Sequence, residues 1–282
     1  MTAIAFEKWQ ALGNDYLIVE RDALPFELTP ERVRRLCDRH TGPGGDGVLE
    51  LAPPDAPGFV ARLRIFNPDG SEAELSGNGA REAILYLRRS GWTEADTFSI
   101  QTLAGEIRPT ITSPTTCTVD MGRAQLRSPH FPAGPADGRG ELQANGQTFR
   151  FQHVAIGNPQ CAIRVPDPDA IDIDAIGPQI ENAPIFPNRT NVSFWHELGP
   201  DALRARIFER GVGETLSSGT GACGAAVAHV LRGGDSPVTV HLDGGELTVD
   251  VDESLHVDLT GWAKPIYRGE LSEEFKTDME AE

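Results

Sequence analysis

Lysine is nearly absent: it stands only at Lys8, Lys264 and Lys276, and arginine supplies the rest of the 25 basic side chains. Against 42 acidic residues this leaves a formal charge of −17. Nucleic-acid binding rests on basic patches that neutralise phosphate, so that class of partner is excluded and a solvated acidic surface is expected. No segment is apolar for the roughly eighteen residues a membrane span needs, so no membrane association is expected. Met1 to Trp9 lack a basic stretch followed by an apolar core, so no secretory signal is read and the expected compartment is the cytoplasm. Cysteine is scarce too. Cys37, Cys117, Cys161 and Cys223 form no CxxC pair and have no histidine at metal-ligand spacing. Buried free thiols are expected, and no metal site. What remains, 282 residues with 39% apolar content, suffices for one large domain or two of ordinary size.

The chain repeats itself. Arg64-Ile65-Phe66 recurs as Arg206-Ile207-Phe208, Glu72 as Glu214, and Ser76-Gly77-Asn78-Gly79-Ala80 as Ser218-Gly219-Thr220-Gly221-Ala222, always 142 residues on. Leu12-Gly13-Asn14-Asp15 is echoed by Ile156-Gly157-Asn158-Pro159 at nearly the same spacing. A constant offset over several motifs implies two related halves joined around residues 120 to 130. Two repeats are too few for a solenoid, which leaves a pseudo-twofold pair of lobes. In each half a strand (Ala61 to Asn67, Ala205 to Phe208) leads to a turn and then to helical spacing, Gly79 to Arg89 and Gly221 to Arg232. A further helix is predicted from the Thr29 cap and Pro30 to about His40. The class is α+β: two antiparallel sheets or barrels, each around a central helix. The expected lobes are 1–121 and 122–271, with the last strand free to return to the first lobe. An acidic tail at 272–282 is expected to be disordered.

A glycine-rich turn feeding a helix presents free backbone N–H groups at the positive end of the helix dipole, where an anion is held readily. Neither turn has the lysine of a nucleotide P-loop or a GxGxxG spacing. Two such termini, one per lobe, suit a small carboxylate flanked by Ser76 and Ser218. Inverting an amino acid at its α-carbon needs such a device, with an acid–base group for each face and dipoles to stabilise the carbanion.

Gly13-Asn14-Asp15, Phe66 to Glu72 (FNPDGSE), Ser76 to Arg81 (SGNGAR), Gly157-Asn158-Pro159, Arg189-Thr190-Asn191 and Glu209 to Thr215 (ERGVGET) resemble the signatures of diaminopimelate epimerases, from about Phe6 to Leu271. The resemblance implies that family's two-lobed fold, a homodimer, and an active site in the cleft between the lobes. It implies interconversion of LL- and meso-diaminopimelate, for lysine and peptidoglycan synthesis, with neither metal nor coenzyme. Carried over position by position, substrate contacts fall on Asn14, Asn67, Asn158, Asn191, Glu209 and Arg210. The helix termini that hold the reacting carboxylate fall on Gly77, Asn78, Gly219 and Thr220. The set suits an amino acid with a second head, since a distal carboxylate wants arginine and a distal ammonium wants carboxylate or amide oxygens.

The chain departs from the family pattern at three places. Serine, not cysteine, precedes each Gly-x-Gly, and Gln160 follows Gly157-Asn158-Pro159 where histidine is usual. A thiol ionises near about 8.5 and lower at a helix N-terminus, whereas a serine needs a neighbour to take its proton. Glu72 and Glu214 are the candidates nearest in sequence. Three accounts stand at this point: a natural branch that works with Ser76 and Ser218 as its acid–base pair, deliberate replacement of two cysteines, or a cleft that binds an amino acid without epimerising it or performs an elimination.

Overall fold

The computed structural model describes residues 4–281, so Met1–Ala3 of the N-terminal reading and Glu282 of the tail lie outside the described residues. The chain divides into two compact units, one of residues 1–119 with 261–282 and one of residues 120–260. The chain thus leaves the first unit once and returns to it.

The first unit opens with strands β1 (Ala5–Ala11) and β2 (Asn14–Glu20), helix α1 (Pro30–Cys37), and strands β3 (Gly47–Ala52), β4 (Ala61–Phe66) and β5 (Glu72–Ala73). Helix α2 (Gly77–Arg89), the short strands β6 (Ile100–Thr102) and β7 (Gly105–Ile107), and β8 (Pro109–Ser113) follow. Strand β9 (Thr116–Arg123) carries the chain across the boundary. The second unit holds β10 (Arg139–Ala144), β11 (Gln147–Ile156), β12 (Asn158–Arg164), helix α3 (Ile173–Glu181), β13 (Asn191–Gly199) and β14 (Ala202–Glu209). It continues through β15 (Gly213–Thr215), helix α4 (Gly219–Val230), β16 (Val238–Leu242) and β17 (Gly245–Val251). Strand β18 (His256–Trp262) leads back to β19 (Lys264–Glu270) and helix α5 (Glu273–Ala281) in the first unit.

The repeat read from sequence is a repeat of topology. In the first unit β1–β2 is antiparallel, β2–β3 parallel, β3–β4 antiparallel, β4–β6 parallel and β6–β7 antiparallel. The second unit repeats that series along β11, β12, β13, β14, β16 and β17. Even the registers agree: Phe66 faces Glu72, and Phe208 faces Glu214. The sheets are therefore mixed rather than wholly antiparallel. The cause is the helices, since a strand can pair in parallel with its successor only through a crossover, and α1 to α4 are those crossovers.

Helices α2 and α4 are the central ones. Gly219 to His229 of α4 are all buried, as are Asn78 to Leu87 of α2, so each helix is covered nearly all round. Helix α1 starts where predicted, with the Thr29 hydroxyl accepting from Arg32 N–H at 3.3 Å, and stops at Cys37. The tail corrects the expectation of disorder. Residues Glu273–Ala281 form α5, which buries Met279 fully in a cluster with Leu36, Val33 and Phe26. Its backbone and side chains are tied by Arg32 Nε to the Met279 carbonyl (2.7 Å) and by Arg35 to Asp278 (2.8 Å). Two apolar side chains among many acids, Phe275 and Met279, lie at i,i+4 and make one face, which composition averaged away.

Candidate active site

In the first unit the turn after β5 delivers Ser76 in extended geometry, φ −128° and ψ 122°, as the N-cap of α2. Its Oγ accepts the Gly79 N–H at 3.1 Å. Gly79 lets α2 pack close to the sheet: a Cβ there would stand only 3.0 Å from Leu49 Cδ2 on β3. The Ser76 Oγ accepts a second bond, from the Tyr16 hydroxyl on β2, at 3.3 Å. Tyr16 is buried, and its ring lies on Gly47, where a Cβ would come within 2.5 Å of Cε1.

Behind the turn runs a polar chain. Arg81, fully buried, donates to the Gly77 carbonyl (3.0 Å) and to Asn78 Oδ1 (2.5 Å). That fixes the Asn78 amide so that its NH₂ donates to Asn14 Oδ1 at 3.2 Å, and the Asn14 NH₂ donates to Asp46 at 3.0 Å. Asp46 and Asp15 share Arg39. Burial works to raise the Asp15 pKa, but the bonds from Arg39 and Lys8 outweigh it and hold it at about 2. Asn67 stands apart, closing the turn between β4 and β5 through its bond to the Ser71 hydroxyl at 2.9 Å.

The second unit repeats the cap. Ser218 has φ −140° and ψ 122°, and its Oγ accepts the Gly221 N–H at 3.2 Å. Again the glycine permits close packing, because a Cβ on Gly221 would meet Ile207 Cδ1 at 2.6 Å and force that side chain to move. The partners differ from those of Ser76. The Ser218 hydroxyl stands beside the Glu209 carboxylate at the end of β14 and acts to lower its pKa, and the Thr215 hydroxyl donates to the same carboxylate at 3.1 Å. Burial raises the Glu209 pKa and these two hydroxyls pull it partly back. Asn158 donates to Thr220 Oγ1 (3.2 Å), and Asn191 bridges the Pro159 carbonyl (3.0 Å) and the Arg210 N–H (2.8 Å). The Arg210 guanidinium donates to the Asn188 carbonyl at 3.1 Å. Within this unit the structure thus links Glu209 with Ser218, Asn158 with Thr220, and Asn191 with Arg210.

The glutamates expected to serve the serines do not. Glu72 is held by both arms of Arg64 at 2.9 Å, which lowers its pKa, and Glu214 is held by Arg206 at 2.8 and 2.7 Å. Their four-residue separation from Ser76 and Ser218 was misleading, since each sits on a short strand paired with β4 or β14, beside that strand's arginine. Gln160 is fully buried; its amide donates to Asn158 Oδ1 at 2.5 Å and its stem packs where Gly224 of α4 leaves room. All four cysteines are free and buried, and burial pushes the thiols of Cys37 and Cys117 up to about 12. Among the described residues Asp120, His256 and Asp258 are the one group spaced to ligate a cation, and His256 is already paired with Asp120 at 3.0 Å. Two site features were missed in the sequence: Tyr16, next to the Gly13-Asn14-Asp15 motif, and the link of Glu209 to Ser218. Each joins a strand residue to a helix cap, which spacing alone does not report. Also among the described residues, no helix is long and apolar enough to cross a membrane.

Comparison with known proteins bears on the fold and the family. At the level of fold, a phenazine biosynthesis protein of the PhzF family from Bacillus anthracis superposes with a TM-score of 0.67 at 20% identity, over 96% of this chain and 100% of that one. A hydroxyproline epimerase from Agrobacterium vitis gives 0.68 at 15% identity, over 98% and 95%. In sequence, the diaminopimelate epimerase of Pelotomaculum thermopropionicum is 41% identical over 94% of this chain and 98% of its own length. Diaminopimelate epimerase 1 of a Nostoc species is 41% identical over 95% and 100%. The family model described as diaminopimelate epimerase matches residues 6–127 and 153–264. The chain belongs to the diaminopimelate epimerase family.

Proposed function

We propose that this protein interconverts LL- and meso-diaminopimelate by proton transfer at the α-carbon, without a cofactor, using Ser76 and Ser218 as its proton-transfer groups. One observation carries the reading: the Glu209 carboxylate, which accepts from the Thr215 hydroxyl at 3.1 Å, stands beside the Ser218 hydroxyl at the N-terminus of α4. A serine oxygen becomes a useful base when a neighbour takes its proton. The α C–H bond breaks, its proton moves to Ser218 Oγ, and the serine's own proton passes to Glu209. Burial raises the pKa of Glu209 and so fits it to that task.

The carbanion's charge spreads onto the neighbouring carboxylate. Backbone N–H groups at Gly77, Asn78, Gly219 and Thr220 stand at helix N-termini, where negative charge is stabilised. With Glu209 given to Ser218, the distal head is assigned to Arg210, which retains guanidinium donors beyond the one bonded to Asn188, and to the amides of Asn67, Asn158 and Asn191. Asn14 and Asn78 are assigned to the reacting head. A homodimer is part of the same reading. Strand β19 is the sheet edge, and Ile266 and Tyr267 on it are exposed, a surface that a second copy would cover.

The test is conversion of purified LL-diaminopimelate, followed by chiral chromatography. Appearance of the meso form is expected. Binding without conversion would favour the reading in which the family's cleft is kept and its chemistry lost.

A further inference from the structure

Ser76 and Ser218 cap equivalent helices, yet the groups beside their hydroxyls differ in kind: a phenol that donates to Ser76, and a carboxylate at Ser218. A serine hydroxyl has one proton to give and two lone pairs. At Ser218 one lone pair takes the Gly221 N–H and the neighbouring group is the Glu209 carboxylate, which when ionised only accepts, so a lone pair is left for an incoming proton. At Ser76 both lone pairs are taken, one by the Gly79 N–H and one by the Tyr16 hydroxyl. What Ser76 has left is its own O–H.

We propose that Tyr16 is the positioning residue that sets Ser76 as the proton donor of the pair, opposite in role to Ser218. The inference rests on the epimerase reading. As Ser76 gives its proton to the carbanion, a C–H bond forms, the serine O–H bond breaks and its electron pair stays on Oγ. That charge develops where two donors already point, the Gly79 N–H and the Tyr16 O–H. A phenol is far more acidic than an alcohol, so its proton moves to Oγ. Water then returns a proton to the phenolate, and Glu209 releases one. The placement is built in. Tyr16 is buried, and Gly47 beneath its ring permits no side chain without displacing it.

One of the three departures from the family pattern, the serine at 76, gains a reason here. A cysteine thiol gives and takes protons near neutral pH unaided, whereas a serine in that place depends on a second acid. Tyr16 should matter with Ser76 and not with cysteine there.

The experiment is a double-mutant cycle in the full-length protein. Tyr16→Phe keeps the ring on Gly47 and removes only the hydroxyl. Alone it is expected to lower kcat by about tenfold to a hundredfold, with KM little changed. In a Ser76→Cys background the same change should cost less than about threefold, whereas in a Ser218→Cys background the full loss should persist. An equal loss in the wild-type and Ser76→Cys backgrounds would assign Tyr16 a packing role and overturn the proposal. So would an active Tyr16→Phe variant with unchanged kcat. Absence of any epimerisation by wild type, Ser76→Cys and Ser218→Cys alike would overturn the epimerase reading itself, and the proposal with it.

Discussion

The Ser218 hydroxyl and the Glu209 carboxylate stand side by side, and burial holds the pKa of that carboxyl above its ordinary value. A strand end supplies one partner and a helix cap the other, so the pair is fixed by the packing of α4 on β14. On the proposed reading Glu209 acts on Ser218, whereas by family likeness alone it belongs among the groups that hold substrate.

If Glu209 takes the proton of Ser218, it must be ionised to begin. Its pKa is raised by burial, so activity is expected to fall as pH drops, at a higher pH than an ordinary glutamate would give. Glu209→Gln cannot accept the proton, and kcat/KM should fall by about 10²- to 10⁴-fold. Its residual rate should lack that acidic limb. The check is the pH profile of kcat/KM for both proteins.

Glu214→Gln provides the contrast. Glu214 is nearer in sequence to Ser218 but is spent on Arg206 at a partly exposed ion pair. Such pairs contribute about 0–1 kcal/mol. Its replacement should leave kcat within about threefold of wild type, since a group outside the proton path adds no general-base factor. A loss as large as that of Glu209→Gln would restore the assignment made from sequence.

Glu82 on α2 is fully buried, and neither carboxyl oxygen has a hydrogen bond of ordinary geometry. Burial raises its pKa well above 4.5; the charge of Arg81 and the Tyr16 backbone N–H oppose this and lose. A carboxyl whose folded pKa exceeds its unfolded one destabilises the fold once pH rises past the unfolded value, because only the unfolded chain releases the proton. Glu82→Met should therefore melt at a higher temperature than wild type, by a margin that widens from pH 5 to pH 8. Thermal melts across that range decide it.

Met279 is the test of the C-terminal helix. Its side chain is fully buried among Val33, Leu36 and Phe26. Met279→Ala should cost about 2–5 kcal/mol by denaturant unfolding. A change near zero would mean that α5 contributes nothing to the first unit.

The sequence carried the architecture because the repeat was written in residues that topology depends on. Arg64 and Arg206, with Glu72 and Glu214, mark equivalent strand pairs, and glycines at 79 and 221 mark the tight approach of each central helix to its sheet. Helix α3 escaped because Gly177-Pro178 reads as a break. In the structure that glycine is needed, since a Cβ would strike the Phe208 ring at 2.5 Å, and Pro178 lies inside a helix capped by Asp172. The parallel pairings escaped because alternation within a strand reports its buried face and not the direction of its neighbour. In the site, residue types were legible from motif and likeness, whereas proton partners were not. Tyr16 and Ser76 are sixty positions apart and meet only through packing of α2 on β2.

Deuterium uptake at the α-carbon tests the central claim most directly. Purified protein in heavy water, given LL-diaminopimelate, should yield meso product carrying one deuterium at the inverted carbon, and Glu209→Gln should slow that uptake. Tight binding of diaminopimelate with no α-deuterium in either epimer would contradict proton transfer by Ser76 and Ser218.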